Sequence, residues 1–352
     1  MLKDFLDFDG LTLEEWERIF NLAEDICANP GNYAERCKNK ILATLFYEPS
    51  TRTQFSFQSA MLRLGGGVIG FSGTAGSSVT KGESLKDTIK IVSGYADAIA
   101  IRHNKDGGAL AASLYSDVPV INAGDGSHLH PTQTLLDLFT IGRYKKFTGL
   151  NIGVCGDLLN GRTVHSLLRA FSLYSGNSFY LISNPAFKAP EKYLDKLSGN
   201  NKIFVREKIA DCLSGLDIIY MTRLQKERIS GGADTFFDNS LILDKAKLSD
   251  AKKDLLIMHP LPKNDEIAPE VDDDGRAVYF KQAEFGLYVR MALLILLLGN
   301  TNAPPEHFDK SDMKCGNNNC IVNDMGDTSN LPQLRRSDGA CAYCEYLLAQ
   351  RY

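Results

Sequence analysis

With 352 residues, 44% of them hydrophobic, and a formal charge of −4, the chain has material for about two domains and a remainder. Interspersed charge leaves no basic footprint for nucleic acid, and the longest apolar stretch, residues 291–298, falls far short of the roughly 20 residues a bilayer span requires. Asp and Glu among the first 30 residues do not suit a signal peptide, so a cytoplasmic protein with no membrane partner is expected.

Residues 11–28 place Leu13, Trp16, Ile19, Phe20 and Ala23 on one face of a helix, with Thr12 positioned to cap it. An apolar run of strand length follows at 41–46 and is stopped by Pro49; Phe57, Ala60, Met61 and Leu64 then recur at the spacing of a buried helix face until Gly65-Gly66-Gly67. Strand-like runs at 68–71, 98–101 and 118–121, separated by helical material, predict a parallel sheet. Leu135, Leu138, Phe139 and Gly142 close this half with a helix. Residues 143–148 are a polar crossing into a second alternating set, with strands at 151–155, 179–182, 202–205, 217–221 and 255–258. Gly153, Gly156 and Gly161 do not form a G-x-G-x-x-G fingerprint, which disfavours a nucleotide cofactor. Residues 283–298 read as a strongly apolar, buried helix. After Gly299 the composition turns to Asn, Asp, Pro and Gly, which marks 300–310 as a linker to a small C-terminal domain, 311–352.

Within this frame Ser50, Thr51, Arg52 and Thr53 open a helix directly after a strand. The first N–H groups of a helix lack intrahelical partners and its dipole is positive there, so hydroxyls and a guanidinium at that end suit a phosphate. The same residues would also serve as a plain cap beside a surface arginine. Arg102 follows the strand at 98–101, at the carboxyl end where open α/β sheets bind ligands. Arg162 and Arg223 stand at two such ends in the second half, and each guanidinium can grip one carboxylate of a dicarboxylic acid; Arg223 could instead pair locally with Glu227.

Tyr47-Glu48-Pro49-Ser50-Thr51-Arg52-Thr53, with Ser56-Phe57 and Arg63-Leu64-Gly65, resembles the carbamoyl-phosphate motif of the carbamoyltransferases. His130-Pro131-Thr132-Gln133 and His259-Pro260-Leu261-Pro262-Lys263 resemble two further motifs of that family, and together the likeness spans about residues 1–300. It implies an α/β fold of two doubly wound parallel-sheet domains: 1–142 for carbamoyl phosphate, with the 283–299 helix packing back on it, and 143–299 for the acceptor. It also implies roles. Ser50, Thr51, Arg52, Thr53, Ser77, Arg102, His130, Gln133, Leu261 and Pro262 would hold carbamoyl phosphate; Arg102, His130, Thr53 and Gln133 would grip the carbamoyl group as charge develops on its oxygen. Ser77 and Lys81, in the Gly/Ser-rich loop ending Lys81-Gly82-Glu83, would be donated to a neighbouring subunit, so a homotrimer or a multiple of it with shared sites is expected.

The acceptor reads as L-aspartate, held by Lys81, Arg162, Arg223 and Gln225, because the cysteine after the histidine and the Ser-Met-Gly motif of ornithine-specific relatives are absent. The expected reaction is direct attack of the aspartate α-amine on the carbamoyl carbon, an early step of pyrimidine synthesis, with Arg52, Thr53, Lys81, Arg102 and His130 catalytic and no catalytic cofactor. The alternatives are a carbamoyltransferase for another amine and an inactive assembly subunit. Three departures from the family pattern, Gln54 with Gln58, Thr80 and Lys263, bear on affinity.

Of eight cysteines, Cys27, Cys37, Cys155 and Cys212 are scattered and read as inert thiols. Cys315-x4-Cys320 and Cys341-x2-Cys344 suit one tetrahedral four-sulfur zinc site, with two disulfides as the competing reading. This tail resembles the zinc domain that aspartate-specific carbamoyltransferases carry on a separate regulatory chain. The likeness implies a structural zinc fused to the catalytic chain; a separate regulatory partner is possible but not required.

Overall fold

The computed structural model describes residues 3–8, 11–224, 239–299, 308–324 and 331–346. The chain folds as two compact units, one of residues 1–132 with 287–352 and the other of residues 133–286.

Unit 1 is built on a four-stranded parallel sheet of order β2-β1-β3-β4: β1 is Ile41–Phe46, β2 Gly67–Ser72, β3 Ala98–His103 and β4 Val120–Asp125. β3 is buried along its whole length, and β1 everywhere but its first residue, as expected of strands covered on both faces. The helices are α1 (Leu13–Ala28), α2 (Thr51–Arg63), α3 (Leu85–Ser93) and α4 (Gly108–Ser113). Thr12 caps α1 as expected: its Oγ1 accepts the Glu15 N–H at 3.2 Å while the Glu15 carboxylate accepts the Thr12 N–H at 3.1 Å.

Two features of this unit differ from the sequence reading. The fourth strand starts and ends later than the apolar run at 118–121, because Asn122 and Asp125 extend it while buried and internally bonded. The N-terminal segment also joins its edge, through Phe5 N–H to the Val120 carbonyl (2.8 Å) and Asn122 N–H to the Phe5 carbonyl (2.9 Å).

Unit 2 carries a five-stranded parallel sheet of order β7-β6-β5-β8-β9: β5 Asn151–Cys155, β6 Ser178–Ile182, β7 Lys202–Arg206, β8 Ile218–Met221 and β9 Leu256–Met258. α6 (Arg162–Phe171), α7 (Glu191–Ser198) and the short α8 (Lys245–Leu248) belong to it. α5 (Pro131–Tyr144) and α9 (Tyr279–Leu298) carry the chain between the units. No described helix is long and apolar enough to cross a membrane.

The tail belongs to unit 1. Its regular structure is slight: β10 (Asp309–Lys310) pairs antiparallel with β11 (Leu334–Arg335), and a single 3-10 turn covers Ile321–Asn323. Cys315, Cys320, Ile321, Tyr343 and Cys344 join one apolar cluster with Ala109–Ala112 of α4 and with Ile99 and Ile101 of β3. Gly107, at φ +84°, permits this approach, since a Cβ there would lie 2.5 Å from that of Tyr343.

Candidate active site and metal centre

In an open parallel sheet, ligands bind beyond the carboxyl ends of the strands where the strand order reverses. In unit 1 the chain runs from β1 outward to β2 and then back across to β3, so the reversal lies between β1 and β3. The loop after β1 carries Ser50, Thr51, Arg52 and Thr53, and β3 contains Arg102. The two ends are stitched together: the Arg102 carbonyl accepts the Tyr47 N–H at 2.8 Å, and its guanidinium meets the Glu48 carboxylate at 2.9 Å. Ser50 is the N-cap of α2 in extended conformation and makes no side-chain cap bond, Arg52 is exposed, and Thr53 is buried.

Gln54 and Gln58 do not pair with each other. Each amide reaches the sheet instead, Gln54 to the Phe71 carbonyl (3.3 Å) and Gln58 to Thr44 Oγ1 (3.1 Å). Ser77 is half-buried and donates to the Thr74 carbonyl at 2.7 Å. Thr80 and Lys81 are exposed on a 3-10 turn, Ser78–Lys81. His130, immediately before α5, is buried.

Unit 2 repeats the arrangement. β5 leads outward to β6 and β7, and β8 returns on its other side, so the reversal lies between β5 and β8. Arg162 opens α6 after β5, and Arg223 follows β8 by two residues. Gly156, at φ +126°, lets the two ends close, because a Cβ there would meet the Thr222 carbonyl oxygen at 2.0 Å. Arg162 is buried and Arg223 half-buried. Gln225 and Glu227 lie outside the described residues.

The turn after β9 is held by its histidine. His259 Nδ1 accepts the Leu261 N–H at 2.7 Å, so Nε2 carries the proton and donates to Glu266 at 2.7 Å. Burial holds the His259 pKa below its ordinary value, with Glu266 opposing. Leu261 is kept at φ +55°, a costly backbone for a side chain that persists only when surroundings dictate it. Pro262 is exposed beside it, and Lys263 pairs with Asp272 at 3.1 Å. Gln133 is buried in the first turn of α5 and donates to Asp137 at 2.9 Å. Asp137 had no signal in the sequence, since a single aspartate in a helix reads as part of a solvated face.

The four tail cysteines are buried, with their sulfurs all within 4.8 Å of one another. Cys315 and Cys344 stand 3.4 Å apart and Cys320 and Cys341 3.9 Å, against a disulfide length of about 2.05 Å. Sulfurs about 2.3 Å from a tetrahedral ion would be about 3.8 Å apart, so the set fits a metal ion. The Asn317 N–H points at Cys315 Sγ (3.4 Å), and Asn323 Nδ2 ties the Cys315 and Asn317 carbonyls, the outer support such centres use. Three of the scattered thiols are buried, which pushes Cys37 and Cys212 up to about 11 and raises Cys155 further.

An alternating chain of charge joins the tail to the loops of unit 1. Asp125 meets His128 Nδ1 at 3.2 Å, His128 Nε2 meets Glu345 at 3.3 Å, and Glu345 meets Arg336 at 2.8 Å. Burial works against a charged imidazole, but Asp125 and Glu345 outweigh it and lift the His128 pKa to about 10. Beside this chain, the buried Asp106 carboxylate accepts the Ser127 N–H and the side-chain amides of Asn317 and Asn319, each at 2.9 Å.

Residues 3–143 match the family model described as the carbamoyl-P binding domain of aspartate/ornithine carbamoyltransferase, and residues 148–297 match its Asp/Orn binding domain. The chain is similar to an aspartate carbamoyltransferase catalytic subunit of Clostridium novyi, 54% identical over 300 residues that cover 84% of this chain and 98% of that protein. It is likewise similar to a catalytic subunit of M. jannaschii aspartate transcarbamoylase, with a TM-score of 0.78 at 43% identity over 85% of this chain and 98% of that one. A Trypanosoma cruzi aspartate transcarbamoylase in complex with N-(phosphonacetyl)-L-aspartic acid also matches, with a TM-score of 0.78 at 33% identity over 83% of this chain and 94% of that one.

Proposed function

Since the chain belongs to the aspartate/ornithine carbamoyltransferase family through both of its halves, we infer that it is an aspartate carbamoyltransferase. It moves the carbamoyl group of carbamoyl phosphate to the α-amine of L-aspartate, giving N-carbamoyl-L-aspartate and phosphate. One observation carries the division of labour: in each unit the arginines singled out by sequence fall at the reversal point of the sheet, Arg52 and Arg102 in one and Arg162 and Arg223 in the other.

On this reading Ser50, Thr51, Arg52, Thr53 and the partner-donated Ser77 bind the phosphate. Arg102, His130 and Thr53 stabilise the oxygen that turns negative in the tetrahedral intermediate, while Gln133 helps hold the carbamoyl group. Carbonyls of the Leu261-Pro262 turn receive the carbamoyl amide. Arg162 and Arg223, with Lys81 and Gln225, take the two carboxylates of aspartate in forked contacts. The amine attacks in its uncharged form, its proton passes to a phosphate oxygen, and phosphate leaves. No residue is asked to form a covalent intermediate, so positioning and charge supply the acceleration.

The exposed turn bearing Lys81 suits a shared site in a trimer. Mixing Lys81→Ala with Arg52→Ala protein and reassembling should restore activity that neither variant has, and failure to restore it would put Lys81 in its own subunit's site. Removing one such donor commonly costs about 100- to 1,000-fold in turnover, so Arg52→Ala should lose that much with aspartate while ornithine is inert for both proteins. Turnover of ornithine by the unaltered protein at a comparable rate would overturn the acceptor.

The tail metal is zinc on this reading, held by Cys315, Cys320, Cys341 and Cys344. Four thiolates fill its coordination sphere and leave no position for substrate, so its role is structural. One zinc per chain by elemental analysis is the expected result. The protein works in the cytoplasm, and a separate regulatory chain is not needed for the metal domain.

A further inference from the structure

Asp137 lies one helical turn after Gln133 in α5 and is fully buried. Its Oδ1 accepts from Gln133 Nε2 at 2.9 Å and from Gln282 Nε2 at 2.6 Å, and its Oδ2 accepts from the Tyr220 hydroxyl at 2.9 Å. Burial and the neighbouring Asp137 raise the Tyr220 pKa well above its ordinary value, so that hydroxyl keeps the proton it donates. The far end of Gln282, Oε1, accepts the His259 N–H at 3.0 Å.

An ionised carboxylate has oxygens and no proton to give. Both glutamines must therefore turn their NH2 ends toward it, because the flipped amide would set oxygen against oxygen in a dry site. Each side-chain amide, otherwise ambiguous by a half-turn, has its orientation dictated. For Gln133 the end turned away from Asp137 is the carbonyl oxygen, an acceptor only. For Gln282 it is the oxygen that anchors the first residue of the 259–262 turn. The same carboxylate thus sets two features at once: the acceptor on Gln133 and the start of the turn whose carbonyls the functional reading aims at the carbamoyl amide.

Resting on that reading of Gln133 and the turn, we propose that Asp137 is the positioning residue that makes the enzyme select a carbamoyl donor over an acyl donor. Carbamoyl phosphate and acetyl phosphate have nearly the same shape and the same phosphate. They differ where one presents an NH2 and the other a methyl. Fixed acceptors welcome the first and are left without partners by the second, and a site built to hydrogen-bond a substrate rejects an analogue lacking the group far more strongly than an apolar pocket can. Were the Gln133 amide free to flip, its NH2 would face the donor's NH2, and were Gln282 to flip, the His259 N–H would lose its acceptor; either change would weaken the distinction.

The test compares the two donors in the full-length enzyme, with acetyl phosphate assayed both as donor and as competitive inhibitor. Asp137→Asn keeps size but removes one acceptor and adds an NH2. The preference for carbamoyl over acetyl phosphate should fall by about tenfold or more, carried by the KM for carbamoyl phosphate, with the KM for aspartate little changed; tenfold is about the worth of one such hydrogen bond. Tyr220→Phe, which leaves both amides held, should keep the preference intact.

A purely architectural role predicts a different pattern. Both donors would then suffer by the same factor, together with a lower Tm, and that outcome overturns the proposal. If Asp137→Asn does not fold, Gln282→Met removes one arm at similar size and should weaken the preference a few-fold; an unchanged preference there also overturns it. Failure of the unaltered protein to use carbamoyl phosphate would instead overturn the functional reading on which the proposal rests.

Discussion

The sheet of unit 2 and the tail of unit 1 are ordered by opposite means. Around β5 and β8, Ile152, Val154, Ile218 and Ile219 are wholly buried, and many apolar side chains share the stabilisation of that core. Between residues 308 and 346 the described structure has two strands of two residues and one short turn, yet Cys320, Cys341 and Cys344 are just as inaccessible. Order there rests on a few points: four sulfurs, the apolar seat of Ile321 and Tyr343 on α4, the Asp106 carboxylate and the charge chain through His128. Distributed burial tolerates the loss of one member, whereas an arrangement of a few anchors fails at each.

Metal removal should expose that difference most sharply. A structural zinc is worth on the order of 10–16 kcal/mol in isolated finger peptides, so a strong chelator, or Cys320→Ser, should abolish hydrogen-exchange protection through the tail. The exchange of β5 and β8 amides should be left as it was. Loss of protection in both regions would show that the two are one cooperative body.

Ile219→Ala is the converse. Truncating a buried isoleucine costs about 2–5 kcal/mol, which should lower the unfolding transition of unit 2 without releasing metal. Metal content and thermal melting, measured on the same sample, check it.

Asp106→Ala strikes an anchor that is neither sulfur nor apolar. It takes the shared acceptor from the Ser127 N–H and the amides of Asn317 and Asn319; a fully buried donor left unpaired costs about 1–3 kcal/mol, and these three are half-buried, so each costs less. Faster metal loss to a chelator, with unit 2 melting unchanged, is the expected result.

The smallest effect should come from pH. The folded pKa of His128, about 10, lies above its unfolded value, so its stabilising contribution is complete below about pH 6.5 and drains away as pH rises toward 10. Chelator-driven metal release should therefore quicken between pH 7 and 10. Glu345→Gln should move that change to lower pH, which an NMR titration of the His128 ring would follow.

The same contrast explains what could be read from the sequence. β1 and β3 were legible as apolar runs, α1 from its capping box, and the four-cysteine cluster from cysteine spacing, because each is a pattern within a few residues. The arginines at the sheet reversals were legible through motif. By contrast, the polar half of β4, Asn122 to Asp125, broke the apolar run that would have marked it. α4, Gly-Ala-Leu-Ala-Ala-Ser, has no polar face to give a period, because it is covered on all sides. Asp106, His128, Asp137 and Glu345 matter through partners up to 217 residues away, and no local window contains both ends of such a bond.

The seat of Tyr343 and the cysteines on α4 has a consequence for behaviour at low concentration. A metal module supplied by a second polypeptide would leave its seat as the sample is diluted below their dissociation constant. Here helix and module are parts of one chain, eight residues of sequence apart, and a short covalent link holds its ends at an effective concentration of about millimolar. Occupancy of the seat is thus a property of each molecule, the same in a crowded cell as in a nanomolar assay.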